Sequence, residues 1–136
     1  MDTQRVIEAL NHALAQELAA VIQLYWHHMT AVGRASPALR QKWREMSVLD
    51  MKHAEALAER IDHFGGVPTT QPLEIHTGGD LQEMIRADLD LKNAKVKMYR
   101  GYLDITRDDP VTWDLVLGLL REEEEHSDEI KSWLGE

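Results

Sequence analysis

Two acid–histidine pairs in the sequence share the same spacing. Asp50 precedes His53 by three residues, and Glu123 precedes His126 by three. Residues three apart lie on one face of a helix, so each pair could bind a single metal ion. A further acid, Glu17, interrupts an apolar helical pattern near the N-terminus. Carboxylate oxygens and imidazole nitrogens without sulfur suit iron or manganese, and these five residues are therefore candidate metal ligands and candidate catalytic residues.

The elements that would position these side chains are helices. Apolar residues recur three and four apart in four segments, about 3–32, 37–64, 80–106 and 110–134, and no segment alternates with the period of a strand. Helix starts are marked by Ser36-Pro37, by Asp80 with Glu83 as a capping box, and by Asp109-Pro110. The pattern predicts an all-α protein.

The connections between the segments indicate the topology. The first and third connections are short, which makes their helices antiparallel neighbours, whereas residues 65–79 are long enough to travel the length of a bundle. We therefore expect a single domain over residues 1–136, a four-helix bundle with a long crossover between helices 2 and 3.

The inward-facing apolar stripe of each predicted helix is interrupted near the helix midpoint. Six titratable residues make these interruptions: Glu17, Asp50, His53, Lys92, Glu123 and His126. The midpoints of antiparallel helices meet, so these side chains are expected to form one buried layer. Burying them without compensation would cost more than a typical domain stability of about 5–15 kcal/mol. Metal, protons or the lysine itself must therefore balance the acids.

The composition restricts the classes of partner. The chain has 136 residues, with 24 Asp+Glu against 15 Lys+Arg and no Cys. The lack of Cys excludes disulfides, cysteine-bound metals and thiol nucleophiles. A net charge of −9 disfavours binding to nucleic acid or to an anionic membrane, because both need a positive field. No stretch has the apolar core of a signal peptide or a membrane span, so we expect a soluble, cytoplasmic protein.

Four stretches of the chain resemble the ferritin-like di-iron carboxylate family, and most closely its bacterioferritin branch. They are QEL at 16–18, LDMKHAEALAERI at 49–61 with the turn at 65–68, EMIRADLDL at 83–91, and LLREEEEH at 119–126. The resemblance implies a ferritin-like four-helix bundle that oxidises Fe(II) with dioxygen or peroxide. It also implies iron as cofactor, one or two ions per chain, and a homo-oligomer, either a dimer or a cage. The residues at metal-ligand positions would be Glu17, Asp50, His53, Glu123 and His126.

The third helix departs from the family at the site itself. Lys92 stands where the family has an acid, and an ammonium group has no lone pair to offer a metal. Two alternatives stay open. Lys92 either replaces one cation by salt bridging, which leaves a single or asymmetric metal site, or it turns away while Asp88 reaches in. Lys92 therefore modifies the site, and the activity of the chain as a ferroxidase-type oxidoreductase depends on it.

Two smaller features bear on cofactors and assembly. Met51 matches the position whose sulfur binds haem between paired bacterioferritin subunits, which makes it a candidate haem ligand. Only ten residues follow His126, so the short fifth helix of bacterioferritin is expected to be missing and the size of any cage stays open.

Two functions are compatible with these residues. The leading one is an iron-binding protein that oxidises Fe(II) at the carboxylate and histidine site, for iron storage or detoxification. The alternative is a non-catalytic ferritin-like subunit with a site altered by Lys92, acting as a binding or structural partner. A DNA-protecting cage ranks behind both, because the sequence has no basic tail.

Overall fold

A computed structural model describes all 136 residues, and it contains four long helices and no strands. The helices are α1 (Thr3–Thr30), α2 (Ser36–His63), α3 (Leu81–Ile105) and α4 (Pro110–Trp133). The four predicted segments are therefore confirmed, with each end within two residues of its expected place. None of these helices is long and apolar enough to cross a membrane.

Local signals in the sequence account for the helix starts. Asp80 accepts a hydrogen bond from the backbone amide of Glu83, and the Glu83 carboxylate accepts one from the Asp80 amide, which completes the predicted capping box. Pro110 lies in the first turn of α4, where its missing amide proton costs nothing. Ser36 is the first residue of α2 rather than its cap, and its hydroxyl donates to the Gly33 carbonyl.

The helices pack as two hairpins, with α1 mainly against α2 and α3 mainly against α4. Two apolar clusters fill the interior. One has eleven buried members, including Leu10, Leu57 and Val116, and the other has eight, including Trp43 and Ile130. The clusters occupy opposite halves of every helix, so a layer of polar side chains separates them at the midplane of the bundle.

The crossover between α2 and α3 follows the surface of α1 in an orderly way. Four segments of it bond to successive positions of α1: Asn11 with Val67 and Thr69, the Ala15 carbonyl with the Leu73 amide, Gln23 with the His76 amide, and His27 with the Thr77 carbonyl. At the turn into the crossover, a Cβ on Gly66 would lie 2.8 Å from Ile7 Cγ2. A side chain there would push the crossover away from α1.

Candidate functional site

The polar layer at the midplane contains all five candidate ligands, Lys92, and two residues of α3 that the sequence analysis did not assign to it. Glu17, Asp50, Lys92, Lys95, Tyr99 and Glu123 are fully buried, and His53 and His126 are 5% and 8% exposed. We call these eight residues the midplane centre. Glu17 comes from α1, Asp50 and His53 from α2, the two lysines and Tyr99 from α3, and Glu123 and His126 from α4.

The Lys95 ammonium lies among three carboxylates. Its Nζ is 2.6 Å from Glu17 Oε1, 3.1 Å from Asp50 Oδ1 and 2.8 Å from Glu123 Oε1. Lys95 therefore contacts one oxygen of every acid of the centre, and each of these acids comes from a different helix. These contacts raise the pKa of Lys95 well above its ordinary value, although burial alone would lower it.

The Lys92 ammonium contacts two of these acids, Asp50 and Glu123, from their other side. Its Nζ is 2.7 Å from Asp50 Oδ2 and 3.1 Å from Glu123 Oε2, and it is 3.0 Å from His126 Nδ1. Asp50 and Glu123 therefore each join the two lysines, with one oxygen on Lys95 and the other on Lys92. Burial would raise the pKa of Asp50, but Lys92 and Lys95 hold it well below its ordinary value.

The two ammonium groups differ in how well they are hydrogen-bonded. Lys92 donates a hydrogen bond to Asp50 and another to His126 Nδ1. Lys95 Nζ lies close to its three oxygens, yet none of these contacts has the alignment of a hydrogen bond. Lys95 is thus held mainly by charge, whereas Lys92 is held by charge and by directed bonds.

The two histidines of the centre have opposite charge states. His53 Nδ1 lies 3.2–3.6 Å from Glu123, Asp50 and Glu17. Burial would lower the pKa of His53, but interactions with these three acids raise it to about 12. Burial, followed by the positive charge of Lys92, lowers the pKa of His126 to about 4. At neutral pH, His53 is an imidazolium and His126 is a neutral acceptor.

The charges of the centre cancel without any added ion. Three carboxylates contribute −3, the two lysines contribute +2, and the His53 imidazolium contributes +1. Tyr99 adds no charge: its hydroxyl donates to Glu17 Oε2, and burial, followed by the nearby acids, raises its pKa well above the ordinary value. The side chains of this chain therefore supply the compensation that the buried acids require.

The donor atoms of the centre are those of a metal site, but the positions between them are filled. Glu17, Asp50, His53 and Glu123 each offer one ligand atom, and the four atoms lie within 4.8 Å of one another, which is a group that could hold a metal ion. Lys95 Nζ lies among three of these residues' oxygens. Lys92 Nζ lies between Asp50, Glu123 and His126. A pair of metal ions does not fit beside both ammonium groups.

His53 connects the centre to the protein surface. Its Nε2 contacts the Glu122 carboxylate, whose side chain is 49% exposed. Glu122 is the residue before the inward-facing Glu123, and it lies at the outer edge of the layer. The imidazole of His53 therefore touches both the buried acids and a half-exposed one.

Asp88 takes no part in the midplane centre. Its Oδ1 accepts a hydrogen bond of 2.8 Å from Gln23, and its Oδ2 pairs with His27 Nδ1 at 2.7 Å. The expectation that Asp88 could reach in while Lys92 turns away is wrong, because Lys92 points into the layer and Asp88 is held by α1. We call Gln23, His27 and Asp88, with the His76 amide and the Thr77 carbonyl that they bind, the crossover anchor.

Sequence reasoning missed Lys95 as a member of the centre. Lys95 follows Lys92 by three residues and precedes Tyr99 by four, so it continues the inward stripe of α3. That spacing could have identified it. Met51, the candidate haem ligand, lies on the outer surface of α2 with 46% of its area exposed, and haem binding stays a prediction.

Comparisons with known proteins agree with this architecture. The family model for the ferritin-like domain matches residues 7–136 of this chain. Bacterioferritin from Brucella melitensis is 36% identical over 135 residues, which cover 96% of this chain and 83% of that protein. The solved bacterioferritin of Desulfovibrio desulfuricans, whose di-iron site is described in different catalytic states, is 31% identical. The two structures superpose with a TM-score of 0.90, and the match covers 96% of this chain and 78% of that bacterioferritin. A ferritin-like di-iron carboxylate protein from Bacillus anthracis has a TM-score of 0.91 at 28% identity, with 98% of each chain covered.

Proposed function

The chain belongs to the ferritin-like family, and from that premise we propose that it is a binding or structural subunit whose midplane centre does not oxidise Fe(II). Two features of the family remain in the chain, namely the bundle with its crossover and the acids and histidines of the centre. At the centre itself, α3 places two lysines among those acids.

One observation carries the proposal: both ammonium groups lie at contact distance from the acids that would hold iron. Lys95 Nζ is within 3.1 Å of all three carboxylates, and Lys92 Nζ is within 3.1 Å of two of them. A cation bound at either position would have to displace an ammonium group that is fully buried. The charge of the centre is already balanced, so the acids lack the excess negative charge that attracts a divalent ion.

The proposal also includes self-association of the chain. Four exposed apolar side chains recur at helical spacing on α1: Ile22, Tyr25, Trp26 and Met29, each between 46% and 56% exposed. Large exposed apolar patches mark interaction surfaces. We propose that this surface joins copies of the chain in a homo-oligomer. Light scattering behind a sizing column tests it, and a monomer at micromolar concentration would contradict it.

Oxidation of Fe(II), followed by ultraviolet absorbance in air, tests the catalytic part. We expect the native chain to match the buffer blank. The double variant Lys92→Glu, Lys95→Ala restores an acid and removes the second ammonium group, so it serves as the positive control and should oxidise Fe(II) faster than the blank. A native rate above the blank would overturn the proposal.

A second candidate function is favoured by the four ligand atoms that lie within 4.8 Å of one another. In this candidate Glu17, Asp50, His53 and Glu123 bind one Fe(II), and its oxidation serves iron storage or detoxification. It requires Lys95 to leave its position. Anaerobic titration of the native chain separates the two candidates, because one tight Fe(II) per chain supports the second and no tight site supports the first.

A further inference from the structure

The midplane centre is divided into two unequal halves by Asp50 and Glu123. The half around Lys95 contains Glu17, His53 and one oxygen of each bridging acid. The half around Lys92 contains His126 and the other oxygens of the bridging acids. Only the first half has four ligand atoms close enough together to surround one ion.

Most of the polar atoms of the midplane centre that lack aligned hydrogen bonds lie around Lys95, and the one exception is Glu123 Oε2 on the side of Lys92. Glu17 Oε1, Asp50 Oδ1, His53 Nδ1 and Glu123 Oε1 are buried and have no such partner, and neither has Lys95 Nζ. Buried polar atoms are normally hydrogen-bonded, so a group of five without aligned partners needs an explanation. A site shaped for a cation explains it, because coordination by charge does not need the linear donor geometry of an ammonium proton.

Lys92 has a different place in the same arrangement. Its directed bonds to Asp50 and His126 do not involve the four atoms around Lys95. If Lys95 were absent, Lys92 would still hold the outer oxygens of Asp50 and Glu123. The inner oxygens would then remain turned toward the vacated position.

From this asymmetry we infer that Lys95 is the resident cation of a latent one-metal site, formed by Glu17, Asp50, His53 and Glu123. The inference rests on the proposed function, because it takes the lysines to stand in the cation positions. Without Lys95, and with His53 deprotonated as a ligand must be, the three carboxylates and Lys92 sum to −2, which one divalent ion balances. Without Lys92, the ammonium group of Lys95 would still fill the site.

Binding of Co(II), followed by calorimetry and by its visible absorption, tests the inference on purified full-length chains. Lys95→Met should bind one Co(II) per chain at least about tenfold more tightly than the native chain. Lys92→Met should not gain this site, and Lys97→Met, an exposed lysine on the same helix, should behave like the native chain. Adding Glu17→Gln to Lys95→Met should weaken the binding again.

The outcomes separate the inference from the proposed function. If Lys95→Met gains no Co(II) while the native chain neither binds nor oxidises iron, the inference is wrong and the proposed function stands. If the native chain itself binds one Co(II) tightly, both are wrong. Equal gains in Lys92→Met and Lys95→Met would overturn the asymmetry.

The folding of Lys95→Met provides an independent measurement. If the variant loses helical circular dichroism without metal, recovery of the signal with Co(II) at one ion per chain supports the inference. Failure to recover it, under conditions where native protein is folded, contradicts the inference.

Discussion

The bundle contains two buried polar clusters, the crossover anchor and the midplane centre, and their hydrogen bonding differs. In the crossover anchor, Gln23, His27 and Asp88 all have short, aligned partners. Both nitrogens of His27 face oxygens, Nδ1 the Asp88 carboxylate and Nε2 the Thr77 carbonyl. In the midplane centre, by contrast, several oxygens and the Lys95 ammonium have close neighbours but no aligned bond.

The difference distinguishes a structural network from a ligand site. A buried network that serves the fold gains most when every donor has an aligned acceptor, as in the crossover anchor. A ligand site turns its donor atoms toward a common point, and a second side chain that fills that point cannot satisfy all of them. The midplane centre has this second kind of geometry, with a lysine at the common point.

The largest expected effect comes from breaking the charge balance of the midplane centre. Lys92→Met should lower the free energy of unfolding by about 3–5 kcal/mol, because it leaves buried carboxylates without their partner. Urea denaturation measures the loss. The matched control is Lys97→Met, which removes an exposed lysine from the same helix. A loss below about 1 kcal/mol, the range of exposed ion pairs, would show that Lys92 is not needed to balance the buried charges of the centre.

A smaller and more local effect is expected from the crossover anchor. Asp88→Asn removes the charged acceptor of His27, and should cost about 1.5–3 kcal/mol, the range for hydrogen bonds to charged groups. Hydrogen exchange should accelerate most at the His76 amide, since the anchor joins that part of the crossover to α1. Asp90→Asn, exposed on the same helix, is the control. Uniformly faster exchange throughout the bundle would contradict a local role.

The smallest effect should come from the outer edge of the midplane centre. Glu122→Gln removes a half-exposed charge next to His53, and we expect a loss of at most about 1 kcal/mol, as for exposed ion pairs. Thermal denaturation beside the exposed control Glu125→Gln measures it. If Glu122→Gln costs as much as Lys92→Met, then Glu122 belongs to the charge balance and the boundary of the centre is wider than described.

Much of the fold could be predicted because its signals are local. Proline, glycine and capping residues mark the helix ends, and the spacing of apolar residues identifies the inward faces. The capping box at Asp80 is an example, since both of its residues lie within one turn. The spacing also predicted that four side chains would meet at one height along the bundle axis, because antiparallel helices bring their midpoints together. They are Glu17, Asp50, Lys92 and Glu123.

The partners of individual side chains could not be predicted in the same way. Lys92 and Asp88 lie one turn apart on the same face of α3, so the choice between them depended on the level of α3 along the bundle, which packing against α1 decides. Lys95 was missed because a lysine on a helix is usually exposed, and Val96 next to it offered a plausible apolar alternative. Burial of Lys95 is favourable only where three carboxylates from other helices meet it.

The sequence by itself determined four helices, their crossover and a buried polar layer, since these depend on residue spacing within each segment. The tertiary structure alone decided that two ammonium groups and one imidazolium neutralise three acids there. The physical reason is that charge balance in a buried layer depends on distances of about 3 Å between side chains of different helices. Those distances exist only once the helices are packed.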